Sequence, residues 1–254
     1  MERLLRRDRT LAALGLLAAT ALAWAALLRM RTDMGSMDGM GMGMAPIPGM
    51  RSWSPLEPLL LFLMWATMMA AMMLPSAAPT ILLVTSVLRR RRERASPAAP
   101  TAVFVAGYLA VWTGFSLAAA LTQWGLHQAA LLSPAMASTS PVLGGILLLV
   151  AGIYQWLPLK AACLHHCRSP LHFLQTEWRE GSGGALAMGA RHGLYCLGCC
   201  WALMTLLFVA GVMNLLWVAA IAALVLIEKV VPVGPWLGRV AGLALAGWGF
   251  RMLM

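Results

Sequence analysis

The sequence predicts an all-α protein, a polytopic helix bundle that crosses a membrane. Of its 254 residues, 61% are hydrophobic and only 11% are charged, whereas a soluble domain carries roughly 25% charged residues. Long apolar runs alternate with short basic segments, which is the pattern of transmembrane helices and their cytoplasmic loops. The basic residues behind the net charge of +10 are therefore interpreted as setting the orientation of the protein in the membrane. It indicates a lipid bilayer as the partner and no nucleic acid.

Residues 1–28 form the predicted first helix, in which a basic start precedes the apolar run Leu11–Leu28. This run of about 18 residues exceeds the usual core of a signal peptide, roughly 7–15 residues. An uncleaved helix is therefore favoured, and a cleaved signal is the alternative. The arginines of residues 1–9 predict a cytoplasmic N-terminus. We expect about seven transmembrane helices, or about six if the first is removed.

Residues 29–55 are predicted to be a flexible loop outside the membrane, rich in methionine and glycine. Methionine usually fills gaps in a core, but the neighbours here are Gly, Asp, Ser and Arg. Solvated thioethers suit the capture of a soft metal ion, and a linker without a metal role is the alternative. The candidate ligands in this loop are Met37, Met40, Met42 and Met44.

Residues 56–254 form the predicted bundle, and its first span covers residues 56–88. A methionine stripe at helical spacing runs along this span. Packing alone would explain it, but Pro75 predicts a kink and a freed carbonyl, as in helices that line a cavity. The stripe begins at Met64, and its candidate metal ligands are Met68, Met69, Met72 and Met73.

The remaining spans are predicted at residues 100–126, 141–160, 184–210, 212–227 and 236–254. The basic loops between alternate spans lie on the side of the N-terminus, which makes that side cytoplasmic. An amphipathic interfacial helix is predicted around Leu171–Trp178. The pairs Gly189/Gly193 and Gly238/Gly242 predict close helix contacts. Glu228 and Lys229 are predicted to pair at the membrane edge.

All five cysteines lie between Tyr154 and Trp201, in two related pentapeptides, Cys163-Leu-His-His-Cys167 and Cys196-Leu-Gly-Cys-Cys200. In each, the outer cysteines are four apart and share one face of a helix. Arginine placement puts both pairs near the inner membrane face, so four thiols could hold one ion. The candidate ligands are Cys163, Cys167, Cys196, Cys199, Cys200, His165 and His166, with His192 nearby.

The chemical softness of the sulfur donors indicates which metal ion these residues would bind. Four thiolates alone suit Zn²⁺ or an iron–sulfur cluster, but thioethers and thiolates together suit Cu(I). Copper is therefore favoured, and zinc is the alternative. Lys160, Arg168 and Arg191 are expected to stabilise the thiolates. Thiol redox chemistry and simple packing remain alternative roles for the cysteines, and His127 and His172 are predicted to be isolated interfacial residues.

Four ordered motifs carry a family resemblance over about residues 56–250. They are Trp65-Ala-Thr-Met-Met-Ala-Ala-Met-Met-Leu-Pro75-Ser, Gly152-Ile-Tyr-Gln-Trp-Leu-Pro-Leu-Lys160, Cys163-Leu-x-x-Cys167-Arg-Ser-Pro170 and Gly193-x-x-Cys196-x-Gly-Cys-Cys-Trp201. The chain resembles the bacterial family called domain of unknown function 2182. That resemblance implies a metal-binding integral membrane protein, which we expect in a bacterial inner membrane.

The predicted function is the transport, delivery or homeostasis of a soft metal ion, most simply Cu(I). A periplasmic metallochaperone or a membrane metalloenzyme would be the protein partner. The alternatives are a membrane thiol–disulfide oxidoreductase and a non-catalytic assembly subunit of a metalloenzyme complex. No catalytic residue is assigned, and Gly181-Ser-Gly-Gly184 lacks the Lys-Ser/Thr of a phosphate-binding loop.

Overall fold

A computed structural model of the protein describes residues 2–39, 56–91, 97–129 and 140–254. The described residues form ten helices and no strand, which confirms the predicted all-α class. In chain order the helices are α1 (Glu2–Gly39), α2 (Leu56–Arg91), α3 (Ala98–Gln128), α4 (Pro141–Tyr154), α5 (Pro158–Arg168), α6 (Pro170–Glu177), α7 (Gly181–Thr205), α8 (Leu207–Ala210), α9 (Leu215–Val230) and α10 (Gly234–Leu253).

Each of the seven predicted spans lies mainly in helix, but not all of these helices are long. By length and hydropathy, four described helices could cross a membrane, or five if the bent pair α4 and α5 is one span. A straight span needs about 20 residues, whereas α4 has 14 and α9 has 16. In α10, Arg239 and Arg251 lower the mean hydropathy. The long apolar helices are compatible with a multi-pass membrane protein.

Two predicted boundaries are corrected by the structure. Helix α1 continues past Leu28 to Gly39, so Met37 lies on a helix rather than in a loop, while Met40, Met42 and Met44 lie outside the described residues. The predicted span 141–160 is broken, because α4 and α5 meet at an angle of 63°. Pro158 opens α5, and the residue before it is extended, as a following proline requires.

Small residues bring the helices of the bundle into backbone contact. A Cβ atom on Gly189 of α7 would collide with the carbonyl of Phe104, and one on Gly107 of α3 with the carbonyl of Leu186. Gly242 of α10 packs in the same way against Gly152 of α4. The predicted glycine contacts are therefore confirmed. They bring α3 and α7 close together, which fixes the helix that carries three of the five cysteines.

The core lies where α2, α3 and α7 meet. Trp65 of α2 is fully buried and donates a hydrogen bond of 2.6 Å to Oε1 of Gln123 on α3. Its ring also packs on Phe208 of α8, with ring centroids 5.1 Å apart. The outer faces of the bundle are apolar as well: Leu22 and Leu216, for example, are more than 70% exposed. Such faces suit a lipid environment.

Candidate metal centre

Four cysteines form one buried cluster between α5 and α7. Cys167 of α5 belongs to the same buried cluster as Cys196, Cys199 and Cys200 of α7. On α7, Cys199 and Cys200 follow Cys196 by three and four residues, about one helical turn. All four side chains are buried, and all are free thiols. We call Cys167, Cys196, Cys199 and Cys200 the cysteine centre.

Cys163, the fifth cysteine, lies at the edge of this centre. It is half-buried, and its Sγ atom lies against the backbone of Gly198 on α7. The sequence pointed to the outer residues of each pentapeptide, Cys163, Cys167, Cys196 and Cys200, as one set. The structure instead places Cys199 opposite Cys167. Cys199, the inner cysteine of its pentapeptide, lies on the side of α7 that faces α5.

The thiols of the centre are engaged with the backbone in this arrangement. Cys199 and Cys200 each donate a hydrogen bond of 3.0 Å to the carbonyl of Cys196. Among the described residues, no group of three or more His, Cys, Asp or Glu side chains is arranged to hold a metal ion. The thiol sulfurs are donors that suit a soft ion.

The sulfur of Cys196 has two polar partners on other helices. The Nζ atom of Lys229 on α9 donates to it over 2.9 Å, and the hydroxyl of Tyr108 on α3 lies 3.0 Å away. Lys229 also donates to the hydroxyl of Ser76 over 3.0 Å, and Tyr108 donates to the carbonyl of Met73 over 3.1 Å. Cys196 thus joins α7 to α2, α3 and α9.

The predicted pair between Glu228 and Lys229 is wrong. Consecutive residues of a helix point in different directions, so Glu228 faces α5 while Lys229 faces the cysteines. Glu228 accepts hydrogen bonds of 2.7 and 2.8 Å from Lys160, and this ion pair is buried. Gln155, at the end of α4, also accepts from Lys160.

The basic residues expected beside the thiols have other partners. Arg168 donates to backbone carbonyls at the end of α9, including that of Val231 at 2.8 Å. Arg191 pairs with Glu177 of α6. Lys229, which was predicted to pair with Glu228, contacts a cysteine instead. No local spacing signals this contact, because the two residues are 33 positions apart.

The methionine stripe of α2 faces the interior of the bundle. Met68, Met69, Met72 and Met73 are all at most 1% exposed, and they belong to the same buried cluster as the cysteine centre. Helix α2 continues through Pro75 and Pro79, so Pro75 does not end it. Near this proline the carbonyl of Met73 accepts hydrogen bonds from Ser76 and Tyr108.

Three histidines gather at the exposed edge of α5 and α6. The ring centroids of His165, His166 and His172 lie 5.6–6.0 Å from one another. His166 also stacks on Tyr195 of α7, with centroids 4.1 Å apart. The prediction that His172 is isolated is therefore wrong. Pro170 starts α6 directly after α5, and the change of direction brings His172 close to the histidines of α5. A helix is present where the interfacial helix was predicted, namely α6, and its position at the membrane interface stays a prediction.

His192 is a buried histidine among aromatic rings. It lies one helical turn before Cys196 on α7, and only 2% of it is exposed. Its ring centroid is 5.2 Å from that of Phe173 and 5.7 Å from that of Tyr108. Within the described part of the chain, its Nδ1 atom has no hydrogen-bond partner. His192 lies four residues before Cys196. This spacing is the sequence signal that could have placed His192 among the candidate ligands.

A bundle of long apolar helices around buried cysteines and methionines defines an all-α, membrane-type protein. Residues 62–252 match the copper chaperone family PpoB2. The match spans 191 of the 254 residues, so the chain belongs to this family, and its role is related to copper. No curated protein and no solved structure matches the chain. The name of the family agrees with the predicted preference for a soft metal.

Proposed function

We propose that the protein is an integral membrane copper chaperone that holds Cu(I) at the cysteine centre and delivers it to a partner protein. The observation that carries this proposal is the burial of Cys167 of α5 in the same cluster as Cys196, Cys199 and Cys200 of α7, which gathers the thiols of two helices. Thiolates and thioethers are the ligands that Cu(I) prefers. Copper is cargo here, because a chaperone must release what it binds.

The arrangement of the other candidate ligands suggests a route for this cargo. Met37, Met40, Met42 and Met44 would capture the ion outside the membrane. The buried stripe of α2 would then offer thioethers along the interior, where Met72 and Met73 belong to the cluster that includes the cysteines. His165, His166 and Cys163 lie at the exposed edge of the centre and would exchange the ion with the solvent side.

We place the chain in a bacterial inner membrane with its N-terminus in the cytoplasm. The support is the distribution of arginine, which follows the positive-inside rule in alternate loops. In this orientation the two cysteine helices meet near the cytoplasmic face. The protein partner would be a periplasmic metallochaperone that supplies the ion to the methionines outside, or a membrane metalloenzyme that receives it from the cysteine centre. Zinc remains the competing ion for a site made of thiolates.

A second candidate function has one observation in its favour. Cys167 of α5 and Cys199 of α7 are buried free thiols on neighbouring helices, so a thiol–disulfide oxidoreductase could use this pair. Thiols on the cytoplasmic side are normally kept reduced, which favours metal binding. Trapping of the thiols in intact cells, followed by mass spectrometry, separates the two functions. A Cys167–Cys199 disulfide that forms and breaks with growth conditions would favour the oxidoreductase.

The test of the proposed function is Cu(I) binding by the purified, reduced protein in competition with a chromogenic chelator. We expect Cys199→Ser to lose most of the affinity, because Cys199 is a fully buried thiol of the cysteine centre. Cys163→Ser is the matched control and should retain the affinity while slowing transfer to the chelator. Unchanged binding after replacement of all four cysteines of the centre by serine would refute the proposal.

A further inference from the structure

The ammonium group of Lys229 lies at the cysteine centre without a carboxylate to balance it. Lys229 is only 7% exposed, and its two hydrogen-bond acceptors are the sulfur of Cys196 and the hydroxyl of Ser76. The ion pairs formed among the described residues do not include it. The neighbouring carboxylate, Glu228, is taken by Lys160. The centre therefore contains a fixed positive charge of its own.

Softness alone does not let a thiolate site choose between Cu(I) and Zn²⁺. Both ions bind cysteine sulfur well, and sites with four thiolates are common for zinc. The two ions differ in charge, however. Metal binding converts thiols to thiolates, and in a buried site of low dielectric constant the balance of charge has a large effect on affinity.

A nearby fixed cation acts more strongly against a divalent ion than against a monovalent one. The Coulomb energy between two charges is proportional to each of them. An ion bound to Cys196 would lie close to Nζ of Lys229, which is 2.9 Å from the sulfur. The repulsion of Zn²⁺ by this ammonium group is therefore twice that of Cu(I) at the same position, whatever the number of thiolates.

We infer that Lys229 is a selectivity residue of the cysteine centre, whose positive charge favours a monovalent soft ion such as Cu(I) over Zn²⁺. This inference rests on the proposed function, because it assumes that Cys196 is a ligand. The burial of Lys229 serves this role, since water would otherwise screen its charge. The hydrogen bond to Ser76 holds the ammonium group in place.

The experiment compares the affinities for Cu(I) and Zn²⁺ in purified, reduced protein, each measured by chelator competition. In Lys229→Met, which keeps the apolar stem and removes the charge, the affinity for Zn²⁺ should rise relative to that for Cu(I) by at least about tenfold. Lys229→Arg keeps the charge and should retain the original preference. Ser76→Ala is the matched control, because it removes a partner of Lys229 but no charge.

The outcomes separate this inference from the proposed function. If Lys229→Met changes both affinities by the same factor, or changes neither, Lys229 does not select the ion, and the inference is wrong. If the unaltered protein shows no cysteine-dependent binding of Cu(I), the proposed function itself fails. Thermal unfolding in detergent checks that each variant folds. Should Lys229→Met unfold, Lys229→Gln offers a neutral side chain that can still donate to Ser76, and the same criteria apply to it.

Discussion

The Sγ atom of Cys163 lies 2.7 Å from the point where a Cβ atom on Gly198 would stand. There is thus no room for a side chain at position 198 while Cys163 keeps its place. The contact seats α5 directly on the backbone of α7. It makes Gly198 a structural part of the packing beside the cysteine centre, although glycine has no side chain there.

Substitution Gly198→Ala should therefore displace Cys163 and lower the free energy of unfolding by about 1–3 kcal/mol, as overpacking of a core does. Chemical denaturation in detergent micelles measures the change. Gly183→Ala, on the same helix with nothing within 4 Å of the new methyl group, is the control and should not destabilise the protein. Equal stabilities of the two variants would show that the contact at Cys163 is not tight.

Removing one partner of the buried pair between Lys160 and Glu228 should destabilise the bundle strongly. The side chains are only 4% and 1% exposed, and an unpaired buried charge typically costs about 3–5 kcal/mol. We expect such a loss in Lys160→Met and in Glu228→Met, whereas the double variant Lys160→Met/Glu228→Met should be more stable than Lys160→Met. Glu180→Ala removes an exposed pair with Arg91 and should have no measurable effect. Strictly additive losses would contradict this account.

The double variant Met72→Leu/Met73→Leu should keep the fold but weaken the handling of Cu(I). Leucine and methionine have similar volumes, so the change in stability should stay below about 1.5 kcal/mol. The loss of two thioethers should slow the loading of the cysteine centre, as measured by stopped-flow transfer from a Cu(I) chelator. Met213→Leu/Met252→Leu, which alters methionines outside the stripe, is the control. Identical loading rates in both double variants would leave the stripe with a packing role only.

Substitution His192→Phe should stabilise the protein, because it replaces a buried ring with an unpartnered nitrogen by an apolar ring of similar shape. Leaving a buried polar group without a partner costs about 1–3 kcal/mol, and the phenyl ring would join Phe104 and Phe173. Denaturation in detergent measures this gain. His172→Phe alters an exposed histidine and should leave the stability unchanged. A destabilised His192→Phe would reveal a favourable interaction of the imidazole.

The sequence predicted the helical segments well, because each depends on composition and periodicity over many residues. The spacing of four residues also placed Cys196 and Cys200 on one face of α7, where they contact each other. The break before Pro158 was missed, since a proline can kink a membrane helix, end it or be accommodated within it. Its effect depends on the neighbouring helices rather than on local sequence.

The partners of the charged residues could not be predicted from the sequence. Lys229 contacts Cys196 and Ser76, and Lys160 contacts Glu228, over separations of 33, 153 and 68 residues. Such contacts depend on the rotation of each helix about its axis, and a rotation of about 100°, one residue, would turn Glu228 into the direction that Lys229 faces. Only the packed bundle decides which of these two neighbours faces the sulfur.

The contact of α3 with α7 has a consequence for how this protein can evolve. At Gly107 and Gly189 the two helices touch through their main chains, which are the same in every protein. The position of α7, which carries Cys196, Cys199 and Cys200, is thus independent of the side chains on the outer faces of the bundle. Residues on those outer faces can be substituted to suit membranes of different lipid composition. The geometry around the sulfur atoms should stay the same after such substitutions.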